Sequence, residues 1–154
     1  MAGLRMRFIN ILLGVIAALL AATAVGAIWS LFGLAGSGRA SWMAAPSALA
    51  LAAVLRFNNH PPGLLRAVLC LLLLALTIAY ANWLIAAGFI AAQMGLGLLD
   101  AIRIIGLDMA YAVARAQNTV VDFGWYGAAL ILAFGLGWTQ PGEMPAKAVR
   151  KKRG

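Results

Sequence analysis

Long stretches without a single charged side chain constrain this sequence more than any other feature. Residues 8–38 and 67–99 contain no Asp, Glu, Lys or Arg over 31 and 33 positions. Two shorter uncharged stretches cover 40–55 and 123–142. A soluble helix shows regular polar positions, whereas a helix that crosses a bilayer needs about 20 consecutive apolar residues. Hydrophobic residues make up 64% of the chain, against about 45–50% in soluble domains, so we predict an all-α integral membrane protein.

The uncharged stretches predict four transmembrane helices, with aromatic residues near their ends as membrane interfaces favour. We place the helices at about 8–32, 41–56, 64–86 and 120–138. The second is short, because its sixteen residues make only about 24 Å of helix, and a re-entrant hairpin is the alternative there. The first begins like a signal peptide, but its apolar run is too long for one, so we expect a retained helix.

Residues 89–117 form a fifth predicted helix, which differs from the four spans because it carries charge. At 100° per residue its polar positions fall within an arc of about 80°. These positions are Gln93, Asp100, Asp108, Tyr111 and Arg115. A narrow polar stripe is typical of a helix lying in the membrane interface, or of one packed within the membrane against a partner. We expect an amphipathic helix at the outer interface, and packing within the membrane is the alternative.

The distribution of positive charge predicts the orientation. Four crossings would place both termini on one side of the membrane together with nine cations, against three on the other side. The nine are Arg5, Arg7, Arg56, Arg66, Lys147, Arg150, Lys151, Lys152 and Arg153, and the three are Arg39, Arg103 and Arg115. The positive-inside rule then places both termini in the cytoplasm. A fifth crossing at 89–113 would instead bury three charges at about 2.5–3.5 kcal/mol each. We therefore predict a protein of the bacterial cytoplasmic (inner) membrane.

The C-terminal residues separate from the rest by composition. We divide the chain into a single helical membrane domain, 1–140, and a basic cytoplasmic tail, 141–154. Four residues of the tail are expected to act as lipid and topology anchors: Arg150, Lys151, Lys152 and Arg153. Although the net charge is +8, no aromatic residue interleaves this tail to stack on bases. We therefore expect the lipid bilayer, and no nucleic acid, as its partner.

The sequence offers no set of residues for catalysis or for a cofactor. The chain has one His, His60, in a predicted loop, and one Cys, Cys70, within a predicted span. A Ser-His-Asp triad needs a positioned His, and a zinc site needs several N or S ligands. A haem between the spans would need axial ligands, and no His lies within them. We expect neither enzymatic activity nor a bound metal or cofactor.

Small residues recur at a spacing of four in the first predicted span. They are Gly14, Ala18, Ala22, Gly26 and Ser30. Such a stripe lets helix backbones approach closely, which favours association in lipid. We predict a helix-packing face here, either within the chain or against another protein. Polar residues within the predicted spans are otherwise few, and Asn82 is one of them.

We therefore expect a non-catalytic integral membrane subunit, scaffold or assembly factor of a larger membrane complex. Its partners would be other membrane protein subunits or further copies of itself. The candidate partner or conduit surface lies on the outer side and comprises Gln93, Asp100, Asp108, Tyr111, Arg115 and Asp122. The alternative is a small homo-oligomeric channel or transporter, which would need a polar helix face through the full membrane depth.

Overall fold

A computed structural model describes residues 2–36, 40–58 and 63–139, with side chains from residue 12 onward. The described chain is 90% helical and contains no strand. Its elements are α1 (Ala2–Ala35), a 3₁₀ turn (Ser41–Met43), α2 (Ala44–Phe57), α3 (Leu64–Met94), α4 (Leu98–Ile104), α5 (Leu107–Gln117) and α6 (Val120–Trp138).

Three helical segments are long and apolar enough to cross a membrane. They are Leu12–Ala35, Leu64–Met94 and Val120–Trp138. This confirms the predicted all-helical fold and the prediction of apolar spans in α1, α3 and α6. The apolar segment Ser41–Phe57 is shorter, because a 3₁₀ turn and only fourteen residues of α-helix occupy it.

α1, α2, α3 and α6 pack side by side around a core that combines many alanines with larger side chains such as Trp29, Leu51 and Leu74. α1 and α3 run parallel, because Gly26 meets Thr77 and Tyr80 while Gly33, further along α1, meets Ile85. α6 runs antiparallel to α3, since its last turn lies on Ala67. α2 packs along α6. The small core residues let these backbones come close together.

α3 extends beyond the predicted end of the third span. The sequence predicted that the third span ends near Ala86, yet the helix continues to Met94. Gly88 does not interrupt it because its missing side chain makes room for Leu34 of α1, which a Cβ at this position would overlap. The helix ends instead at Gly95, which adopts the left-handed conformation with φ 66°, as glycine readily does.

The single amphipathic helix predicted at 89–117 is replaced by three separate pieces. Its first residues are the last turns of α3, and α4 and α5 follow with seven and eleven residues. The breaks fall at Gly95 and at the extended residues Gly97 and Gly106, which precede α4 and α5. The polar residues therefore do not form the single stripe predicted for one continuous helix, because the helix is interrupted twice between them.

α4 and α5 fold back along the end of α3. Ala101, Ile105 and Ala110 are buried there against Ala87, Ile90 and Ala91 of α3, in a second small core. α6 then begins beside Asn82, because Asn118, two residues before α6, donates a hydrogen bond to the Asn82 side chain. The last three turns of α3 and the α4–α5 segment (98–117) therefore extend past the level along α3 at which α6 begins.

Candidate functional site

Most of the predicted outer-surface residues are exposed, but they lie on three different helices. Gln93 is on α3 and Asp100 is on α4. Asp108, Tyr111 and Arg115 share one face of α5, since helix positions three and seven apart are neighbours. All five side chains are exposed, Tyr111 to 67%. The structure therefore brings together the three residues of α5 and leaves Gln93 and Asp100 on separate elements.

The charges of the α4–α5 segment match the dipoles of its two helices. Asp100 and Asp108 lie in the first turns of α4 and α5, and Arg103 and Arg115 lie in the last turns. Each such placement stabilises a helix by about 0.3–1 kcal/mol. In the part of the chain that the structure describes, none of these four residues makes an ion pair or a side-chain hydrogen bond. Their charged groups remain accessible to a partner molecule.

Large apolar side chains face outward between these charges. Leu99 is 71% exposed, Ile104 66% and Leu107 82%, whereas Ala101, Ile105 and Ala110 are buried against α3. An apolar surface rimmed by charge typically marks contact with a membrane interface or with another protein. The α4–α5 segment is therefore the candidate docking surface of the molecule.

Asp122 does not belong to this exposed set. It is 7% exposed, and its Oδ2 accepts hydrogen bonds of 2.7 Å from both the backbone N and the Oγ1 of Thr119. Together the two residues form a capping box, in which the first residues of a helix satisfy each other's free polar groups. Asp122 thus stabilises the start of α6. Its position three residues after Thr119 could have indicated this role from the sequence.

Three polar side chains join α3, the end of α5 and α6 into one cluster. Asn118 Nδ2 donates to Asn82 Oδ1 at 3.0 Å, and Tyr126 Oη donates to Asn118 Oδ1 at 2.9 Å. Asn82 Nδ2 closes the ring with a contact of 3.3 Å to Tyr126 Oη. The ring of Trp29 lies 6.0 Å from that of Tyr126. Sequence reasoning noticed Asn82 alone, although an amide within an apolar helix implies a partner on another element.

The small-residue stripe of α1 is buried inside the bundle. Gly14, Ala18, Ala22, Gly26 and Ser30 are all buried. Ala22 and Gly26 face α3, where Thr77 Oγ1 lies 3.4 Å from the Ala22 carbonyl oxygen. The stripe therefore packs within the chain and is covered there. Beside it, a partly open apolar groove of about 220 Å³ lies between the two helices, lined by Leu19, Ala22, Thr23, Leu76, Thr77 and Tyr80.

Two arginines hold the C-terminal end of α6. Arg66 Nε donates to the Gly137 carbonyl at 2.8 Å, and its Nη2 donates to the Thr139 carbonyl at 2.7 Å. Arg56 Nη2 donates to the neighbouring Leu136 carbonyl at 3.1 Å. The last carbonyls of a helix lack partners within the helix, and α6 has no basic residue of its own in its last turn. Sequence reasoning assigned both arginines to topology alone and missed this capping role.

The remaining predicted residues and the comparisons add no chemistry to these sites. The tail anchors Arg150, Lys151, Lys152 and Arg153 lie outside the described residues, and Cys70 is buried. Within the described ranges, no group of three or more His, Cys, Asp and Glu side chains could hold a metal ion. No protein-family model, curated protein or solved structure matches the chain.

Proposed function

We propose that the protein is a non-catalytic integral membrane subunit, scaffold or assembly factor of a larger membrane complex, which it joins through the α4–α5 segment. One observation carries this proposal. The α4–α5 segment exposes large apolar side chains, such as Leu99 and Leu107, beside exposed charges. Among the side chains that the structure describes, the exposed charges lie on this segment, at Asp100, Arg103, Asp108 and Arg115, whereas the exposed faces of α1, α3 and α6 are uncharged. An apolar surface rimmed by charge favours contact with another protein over contact with lipid tails alone.

We propose four crossings for the membrane domain, with both termini on the cytoplasmic side of a bacterial inner membrane. The 3₁₀ turn and α2 together span about 27 Å, close to the hydrocarbon thickness of a bilayer. The ends of this segment support a full crossing. Trp42 lies 6.3 Å from Phe32 near the end of α1, and Arg56 reaches Leu136 at the opposite end of the bundle. The excess of cations at the arginine end supports the orientation.

Mild detergent extraction of a tagged chain from its native membrane tests the proposed role. We expect a discrete complex with other membrane proteins, which a double Leu99→Ala and Leu107→Ala variant loses. The matched control replaces Leu31 and Ile131, which are exposed to a similar degree on α1 and α6, at 67% and 77%. Recovery of the wild-type chain as a lone monomer, with no partner crosslinked in native membranes, would contradict the proposal.

The alternative is a small homo-oligomeric channel or transporter. The exposed polar face of α5 favours it, but eleven residues extend only about 16 Å, roughly half the bilayer core. Flux of small ions into liposomes that contain the purified chain distinguishes the two functions. Flux that disappears in an Asp108→Ala or Arg115→Ala variant would replace the subunit proposal with the conduit.

A further inference from the structure

The charged face of α5 has a defined direction relative to the membrane. α5 runs back along α3, because Ala110 is buried against the last turns of α3, whereas Asn118 donates a hydrogen bond to Asn82, further toward the start of α3. α3 is one of the candidate membrane spans, so α5 lies roughly along the membrane normal. Its two charges therefore lie at different heights, with Arg115 near the start of α6 and Asp108 about 10 Å further from the bilayer centre.

The two charges and the aromatic ring between them form one accessible face. Asp108, Tyr111 and Arg115 are all exposed, Tyr111 to 67%. The two charged residues are too far apart along the helix to pair with each other, since helical ion pairs join positions three or four apart. Tyr and Arg are among the residues that contribute most at protein interfaces. A partner with opposite charges at these two heights would pair both groups at once.

A second copy of the chain does not offer that arrangement. Copies inserted in one membrane share one orientation, so a symmetric pair has its twofold axis along the membrane normal. Two facing α5 helices would then place Asp108 opposite Asp108 and Arg115 opposite Arg115, and such contacts between like charges oppose binding. Among the described side chains, the exposed faces of α1, α3 and α6 are uncharged, so they offer no complement either.

We propose that the face of α5 formed by Asp108, Tyr111 and Arg115 binds a different membrane protein, which places a cation level with Asp108 and an acid level with Arg115. This inference rests on the proposed function and specifies the chemistry of the partner. Tyr111 occupies the space between the two ion pairs, where its ring excludes water from both.

A variant of the chain with exchanged charges serves as a partner of the required chemistry. Asp108→Arg combined with Arg115→Asp carries its cation and its acid at the proposed heights. The wild-type and exchanged faces, both with Ala112→Cys as reporter in a Cys70→Ala background and with a size tag on one form, are co-expressed in a heterologous bacterial host and mildly oxidised. We expect the disulfide between unlike faces to form about tenfold more than either disulfide between like faces, as one well-placed charge pair would provide. A random mixture of the three disulfides, or no disulfide between unlike faces, would overturn the proposal.

The native complex gives the second test. Asp108→Arg or Arg115→Asp alone should lower the recovery of the partner from native membranes about tenfold. Gln93→Arg, which adds a cation at an exposed position of α3, is the matched control and should leave recovery unchanged. Full recovery with both charge reversals, but loss with Leu99→Ala and Leu107→Ala, would overturn this inference and leave the proposed function standing. A wild-type chain recovered alone would contradict both.

Discussion

At the scale of single residues, glycine allows two helices of the bundle to approach more closely than any residue with a side chain would. α6 crosses α3 at Gly137, and a Cβ there would overlap Ala67 Cα and lie 2.9 Å from the Ala67 backbone N. The same contact brings the last carbonyls of α6 within reach of Arg66. A close approach of two backbones therefore also positions the charged group that caps α6.

We predict that Gly137→Ala destabilises the protein by about 1–3 kcal/mol, the usual cost of overpacking. The reason is that the backbone of Ala67 cannot move aside as a flexible side chain could. Thermal unfolding in detergent measures the effect. Gly135→Ala is the matched control, because no atom lies within 4 Å of a Cβ at that position, and it should be neutral or slightly stabilising. Equal melting temperatures for the two variants would show that the backbones of α3 and α6 are not in close contact at Gly137.

The cluster of Asn82, Asn118 and Tyr126 gives a second prediction at this scale. Tyr126→Phe removes the hydroxyl that donates to Asn118 at 2.9 Å, and we expect a loss of about 0.6–1.7 kcal/mol, as for other hydrogen bonds within membranes. A double-mutant cycle with Asn118→Ala isolates the pair. Additive effects of the two substitutions would mean that the hydroxyl and the amide do not interact.

At the scale of elements, glycines determine where the helix in the long apolar stretch ends. The residues packed beside each glycine determine whether the helix ends there. Gly88 lies within α3 because Leu34 of α1 fills the space beside it. Gly95 ends the helix because it adopts a positive φ. The sequence predicted the helical and apolar character of this region, but it could not distinguish the two glycines. Helix-terminating glycine depends on tertiary contacts that one sequence does not display.

We predict that Gly95→Ala loosens the α4–α5 segment, whereas Gly106→Ala does not. An L-residue at φ 66° costs about 1–2 kcal/mol, but Gly106 has φ −69°, which alanine adopts freely, and open space beside it. Amide hydrogen exchange of 98–117 measures the difference. Similar protection of this segment in both variants would show that the turn at Gly95 does not hold it in place.

At the scale of the whole molecule, the distribution of charge along the sequence predicted which segments are apolar helices but not how those helices pack. The uncharged stretches located α6 and the start of α3, because the bilayer imposes length and composition on any span, but α3 continues past its predicted end near Ala86 to Met94. The residues predicted for the candidate surface do not share one helix face, since Asp122 is used for capping and α4–α5 folds back on α3. The roles of Arg56 and Arg66 could not be predicted, because their partners lie more than seventy residues away in the chain.

We predict that the two ends of the bundle lie on opposite sides of the membrane. In a Cys70→Ala background, which removes the single native cysteine, Asp108→Cys should react with an impermeant maleimide from outside the cell. Lys152→Cys should react only after the membrane is opened, because the positive-inside rule retains the basic tail in the cytoplasm. Labelling of both cysteines from the same side would mean that α6, the candidate span between them, does not cross the membrane.

The distance in sequence between the arginines and the carbonyls they cap also orders events during synthesis. Arg56 precedes Leu136 by 80 residues, and Arg66 precedes Gly137 by 71. At ribosomal rates of about 5–20 residues per second, both arginines emerge roughly 4–16 seconds before their acceptors exist. During that interval α2 and α3 must hold two cations at the headgroup layer, and this part of the bundle is completed only when α6, the last helix that the structure describes, packs against both.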